Sequence, residues 1–220
     1  MRRVLRDNGL SLTMFALFLV FLVAQSISGY KTTNSDNQQH QQPPVTYGEY
    51  LTSGAFVEAT FENWESEFLQ MGAYVLLTAW LIQKGSPESK NPDGDEADAD
   101  PRDQRDAKDA PGPVTRGGLA LTLYEHSLSI AMFSLFLLCF VLHALGGHAE
   151  FNQQQLEHGE AAVSFWSFVT SSQFWFQSMQ NWQSEFLAVG ALAVLSIFLR
   201  QRGSPESKPV AAPHAQTGTG

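Results

Sequence analysis

The sequence predicts an all-α integral membrane protein, a four-helix bundle from two tandem parallel two-span repeats, each with an external amphipathic aromatic helix. Three observations predict it: apolar stretches almost free of charge, a gapless internal duplication, and a one-sided distribution of Lys and Arg. The 220 residues are 44% hydrophobic and 16% charged, with a net charge of -9. A soluble domain carries about 25% charged residues. The acidic balance argues against nucleic acid as a partner. A single cysteine, Cys139, excludes an intramolecular disulfide framework and a multi-cysteine metal site.

The first apolar stretch runs from Leu10 to Ile27 and carries no charge. At 1.5 Å per residue it extends about 27 Å, close to the hydrocarbon thickness of a bilayer. Arg2, Arg3 and Arg6 precede it, as they would in a secretory leader. Its copy, Leu128 to Gly146, lies deep inside the chain. A copy there cannot be cleaved as a leader, so both are expected to be retained spans. LSLTMFALFL and LSIAMFSLFL align without a gap, 118 residues apart. The same offset pairs Asn63–Ala73 with Asn181–Ala191, and Gln83–Lys90 with Gln201–Lys208. About 32 of about 83 aligned positions are identical, which is far beyond chance for one fixed offset.

Each repeat holds a second, shorter apolar stretch, at about 66–82 and about 184–199. Neither has the polar stripe that a water-facing helix requires. Repeat one is therefore read as 1–90, with spans at about 10–27 and 66–82. Repeat two is read as 117–208, with spans at about 128–146 and 184–199. Basic residues cluster at the N-terminus, between 84 and 116, and after Arg200, whereas Lys31 alone lies in an intervening loop. That asymmetry predicts both termini and the linker in the cytoplasm.

Residues 91–116 form an acidic linker with no large apolar residue before Val114, and are expected to be disordered, as is the tail 209–220. A calcium loop fails at its fifth position, Ala97. Gly85 and Gly203 of the two Gly-Ser-Pro-Glu-Ser-Lys strings stand where a helix C-cap glycine is expected. Gly72 and Gly190 suggest close helix packing.

Outside the membrane, each repeat carries a helical apolar stripe. In repeat one it is Tyr47, Tyr50, Leu51, Val57, Phe61 and Trp64; in repeat two, Phe165, Phe168, Val169, Trp175, Met179 and Trp182. Run straight into the next span, residues 47–82 would extend about 54 Å, so this helix must bend or break. Trp64, Trp182, Trp166 and Trp175 are expected to be interfacial anchors. His143, His148 and His158 lie near Glu150, Glu157 and Glu160 in what reads as a polar loop rather than a metal site.

The paired Asn-Trp-x-Ser-Glu-Phe strings supply the candidate site: Glu67, Glu185, Asn63 and Asn181. Glu67 and Glu185 are acidic in both copies, whereas Glu58, Glu62 and Glu65 become Phe176, Gln180 and Gln183. Two facing carboxylates could hold a proton or a cation. The competing expectation is that Asn63 or Ser66 caps a helix and Glu67 meets its dipole. No catalytic motif, cofactor motif or metal-ligand pattern is present, so the expected function is a structural or accessory membrane scaffold without catalysis. The alternative is a small solute or ion carrier or channel component. The expected partners are the lipid bilayer and either a second copy or another membrane protein.

At NWxSEFLxxGA, RQRGSPESK and RDNGLSLTMFALFL, the chain resembles a bacterial family of duplicated multi-spanning membrane proteins catalogued only as a domain of unknown function. The resemblance implies a bacterial inner-membrane protein. It implies no activity, substrate or catalytic residue.

Overall fold

Hydroxyl side chains decide where the helices break. In the computed structural model, which describes residues 6–94 and 96–218, every regular element is helical. Arg2 and Arg3 of the basic N-terminus lie outside the described residues, as do the last two of the tail. The long helices are α1 (Gly9–Gln39), α3 (Gly54–Trp80), α6 (Ser127–Glu157) and α8 (Ser172–Phe198). Short helices α2 (Tyr47–Leu51) and α7 (Phe165–Val169) precede α3 and α8. Helices α4 (Gly112–Arg116) and α5 (Gly118–Glu125) lead into α6. The bounds of α1, α2 and α3 recur in α6, α7 and α8 at the sequence offset of the duplication.

The break expected between residues 47 and 82 falls after α2 and α7. Ser53 Oγ accepts from Phe56 N, and Ser171 Oγ accepts from Phe174 N, both at 3.3 Å. Each serine satisfies a backbone donor that the new helix leaves open. Thr46 caps α2 in a reciprocal capping box with Glu49, and Ser164 caps α7. The capping expected of Asn63 and Ser66 is therefore overturned. Both lie inside α3, and Ser66 Oγ donates back to Asn63 O at 2.7 Å.

The polar stretches after the first apolar runs are helical, not loops. α1 and α6 each span 31 residues, about 46 Å, and carry their polar ends to Gln39 and Glu157. His143 and His148 thus lie on α6, correcting the polar loop expected there.

Among the described residues, three helices are long and apolar enough to cross a membrane: α1, α6 and α8. α3 is not among them. Its first half carries Glu58, Glu62, Glu65 and Glu67, and it ends at Trp80, leaving only a short apolar run. Its counterpart α8 retains only Glu185 of those four acids.

The chain divides into two compact units, Met1–Phe61 with Val141–Phe174, and Glu62–Phe140 with Trp175–Gly220. The first unit centres on buried Phe168, Phe174, His143 and Tyr50. Phe168 and Phe174 meet edge to face at 5.5 Å, and His143 lies 4.9 Å from Phe174. Its turns are pinned by two asparagines. Asn34 donates to Val45 O and accepts from Val45 N, at 3.1 and 2.8 Å. Asn152 does the same with Val163, at the same distances. Each amide closes a backbone pair as a strand neighbour would.

In the second unit the linker carries short 3-10 turns at Glu96–Asp98 and Pro101–Gln104, with the Lys90–Asp98 ion pair at 2.6 Å. These are local and largely exposed contacts, worth little in free energy. The tail, expected to lack order, returns on itself. Lys208 is buried, and its ammonium donates to the carbonyls of Pro213, His214 and Gln216 at 3.2, 2.8 and 3.1 Å.

Close helix approach occurs at glycines the sequence pattern did not single out. In the first unit, a Cβ on Gly146 would lie 2.6 Å from Glu58 N, and one on Gly54 2.8 Å from Gly146 O. Backbone stands against backbone there, so neither partner can yield. Gly72 is also close-packed, with a Cβ 3.2 Å from Met132 Cβ, but Gly190 has nothing within 4 Å. Gly146→Val should therefore destabilise by about 1–3 kcal/mol, the usual cost of overpacking. Gly190→Ala, in open space on α8, should raise stability slightly by removing a helical glycine. Melting temperatures of the two variants in detergent decide this; equal effects would refute the backbone contact.

Candidate functional site

The acid that α3 buries is Glu65, not the duplicated Glu67. Glu65 is 0% exposed, and one oxygen, Oε1, accepts from Ser178 Oγ at 3.1 Å and from Trp182 Nε1 at 3.2 Å. One turn earlier on α3, Glu62 accepts from Asn181 Nδ2. A buried carboxylate costs several kcal/mol unless such donors replace water. Glu65, Ser178 and Trp182 are Glu, Ser and Trp at positions whose other copies are Gln183, Thr60 and Trp64. Two of the three differ between copies, so a search for acids kept in both passes over the group.

The sequence-selected residues fall around it. Glu67 is exposed and Glu185 half-buried, and the two interact electrostatically. Asn63 is exposed, whereas Asn181 is the donor to Glu62. The four are thus not one constellation: Asn181 belongs with Glu62, and the Glu67–Glu185 pair stands on charge alone.

The tryptophans divide as well. Trp166 is 74% exposed, the placement an interfacial anchor needs. Trp175 and Trp182 meet edge to face at 6.3 Å and flank Phe140 at 6.2 and 6.3 Å. Trp182 also lies 6.0 Å from Phe136, so its ring packs inward while its N–H serves Glu65. Trp64 is half-buried. Cys139 is buried.

Past α3 and α8 the two Gly-Ser-Pro-Glu-Ser-Lys strings take one shape. Ser86 N donates to Gln83 O and Ser204 N to Gln201 O, with Gly85 and Gly203 at φ 89° and 85°. This is the type II turn, whose third residue favours glycine. It corrects the C-cap reading: the helices end earlier, at Trp80 and Phe198. Ser89 Oγ then accepts from Gln83 N and Ser207 Oγ from Gln201 N, both at 2.9 Å. At the end of α8, Arg200 donates to the carbonyls of Ser196, Ile197 and Leu199, closing the orphan acceptors.

These turns bring Glu88 and Glu206 together. Burial, then the hydrogen bond and charge of Glu206, push the Glu88 carboxyl up to about 6. Neither carboxyl was singled out in the sequence, although both copies retain the acid.

Among the described residues every regular element is helical and three helices are long and apolar enough to cross a bilayer, which points to the class of helical membrane proteins. Within that class, the chain belongs to the family DUF6766, a domain of unknown function, whose model matches residues 1–219. No curated protein and no solved structure matches it.

Glu88 gives the pH dependence a definite sign. Its folded value of about 6 lies above its ordinary 4.5, so folding takes up a proton between them. The stabilisation is complete below 4.5 and is lost as pH rises through about 6. The melting temperature should therefore fall between pH 4.5 and 6.5, and Glu88→Gln should flatten that step. A melting temperature that rises over this window, unaltered by Glu88→Gln, would refute the raised Glu88 carboxyl.

Proposed function

We propose that the chain is a structural or accessory scaffold of the bacterial inner membrane, without catalytic activity. In this reading it is a four-span bundle of two parallel repeats, with both termini and the linker cytoplasmic and the aromatic segments at the outer face. The observation that carries it is α1. Only 6% of its most apolar 18-residue stretch is buried by the rest of the chain. Phe15, Val20 and Phe21 are each more than half exposed. An apolar face that wide is larger than a soluble surface tolerates. In a membrane it meets lipid, a second copy of the chain or another membrane protein. Glu65 supports the same reading, because its donors come from within the fold.

Reporter fusions test the topology. A periplasm-active reporter should work after residue 40 and after residue 155, and fail after residue 100. Activity at 100 with silence at 40 overturns it. Purification in mild detergent tests the role: a stoichiometric protein partner or a defined homo-oligomer is expected, and a monodisperse monomer would refute the scaffold.

The Glu67–Glu185 interaction favours a second reading, a carrier or channel component for a small solute or ion. If the pair works as a unit, Glu67→Gln and Glu185→Gln should be non-additive in proteoliposome flux, the double variant no worse than the worse single one. Flux unchanged in all three removes this reading.

A further inference from the structure

Between α3 and α8, within the second unit, runs a cavity of about 450 Å³. Gln70, Tyr74 and Leu77 line it from one face of α3, at spacings of about one helical turn, and Leu81 joins them just past the helix end. Phe186, Val189 and Ala193 line it from α8, beside Gly190. Gly190 leaves open space where its other-copy counterpart, Gly72, is packed against Met132 and Phe133. The volume is of the size that small-molecule sites occupy, and the walls are mostly apolar.

Its polar groups stand apart along the groove. Gln70 is 4% exposed, and its side-chain Nε2 is a buried donor without a hydrogen-bond acceptor. A buried donor left unpaired is costly, so a group that supplies an acceptor there gains the whole of that deficit. α3 ends at Trp80, and the chain beyond it turns back and carries Glu88 to the same groove. Glu88 lines the same cavity, half-buried, with Glu206 bonded to it. Lys90 is the nearest cation in sequence, and its ammonium is held by Asp98 at 2.6 Å. At neutral pH, above the Glu88 value of about 6, the acid end is negative.

We infer that this groove binds an elongated amphiphilic amine, with its ammonium at Glu88, its apolar body between α3 and α8, and a carbonyl-type acceptor at Gln70 Nε2. An aliphatic chain matches the walls, and the two ends have opposite requirements, so orientation is fixed. An ammonium-headed lipid offers a cation and ester carbonyls too, but it sets a phosphate anion beside the ammonium, which the acid end disfavours. The inference does not depend on the scaffold reading and survives its failure.

The probe is methyl 12-aminododecanoate, which joins an ammonium to an ester through a flexible aliphatic chain. Dodecylamine lacks the acceptor, and methyl dodecanoate lacks the cation. Binding is measured on the full-length chain in phosphatidylglycerol nanodiscs, which contain no ammonium headgroup. The probe should bind about tenfold tighter than dodecylamine, the value of one well-made buried hydrogen bond. Gln70→Leu should erase that preference and leave dodecylamine unaffected. Glu88→Gln should erase the preference for the probe over methyl dodecanoate. Gly190→Leu, which fills open space, should abolish binding of all three while the melting temperature holds. Equal affinity for probe and dodecylamine in the native chain, or binding that survives Gly190→Leu, overturns the assignment. Loss of probe binding when phosphatidylethanolamine is added to the nanodiscs also overturns it, in favour of a lipid headgroup.

Discussion

The constraint on which this structure depends is that polar groups withdrawn from water must find partners inside the fold. In a helical membrane protein the constraint is sharper, because the surrounding hydrocarbon offers none. The chain meets it with a small set of devices. Asn34 and Asn152 close the backbone of Val45 and Val163. Ser53 and Ser171 open the long helices. Arg200 closes the end of α8, and Lys208 gathers three tail carbonyls. Each replaces hydration that folding removes. Where the device is missing, as at Gln70 Nε2, the deficit marks a place for a ligand atom.

The two copies divide their labour. Residues identical in both build the backbone frame: Asn34 and Asn152, Ser53 and Ser171, Gly85 and Gly203, Ser89 and Ser207. They act on main-chain atoms, and the same main-chain geometry recurs in each half. Residues that differ between copies build what is particular to the second unit. Glu65 faces Ser178 and Trp182, while its own counterpart is Gln183. Gln70 is matched by Ala188, and Gly72 is packed where Gly190 is open. Duplication supplied a scaffold, and divergence gave it an acid, a donor and a cavity. This is why the acids shared by both copies at Glu67 and Glu185 were the natural choice from sequence, and why the buried acid was a different one.

Sidedness in α3 follows from the same division. Four acids crowd its first half, and Glu65 is buried by donors from α8. α8 replaced three of those acids with Phe176, Gln180 and Gln183, and is apolar enough to cross a membrane by itself. The pair is therefore unequal: one helix carries charge that the other accommodates. Glu62 and Asn181 extend that accommodation by a further turn. The interaction is a charge-assisted one, stronger than a neutral bond of the same geometry.

By itself the sequence determined the helical class, the apolar runs that α1, α6 and α8 contain, and the need for a break somewhere between residues 47 and 82. These are local properties: hydropathy, periodicity, and the length a bilayer permits. It also marked Gly85 and Gly203 as special positions, but as helix C-caps, whereas both sit at positive φ in turns beyond the helix ends. Tertiary structure alone decided the rest. Helix ends moved to Gln39 and Glu157 because polar residues continue a helix as readily as apolar ones once Asn34 and Asn152 secure the following chain. Gly54 and Gly146 meet only through folding, and no spacing rule links residues so far apart. The burial of Glu65, the pairing of Glu88 with Glu206, and the cavity beside Gly190 each need side chains from distant parts of the chain. A linear pattern records what each residue is; which donor reaches which carboxylate is fixed only when the helices pack.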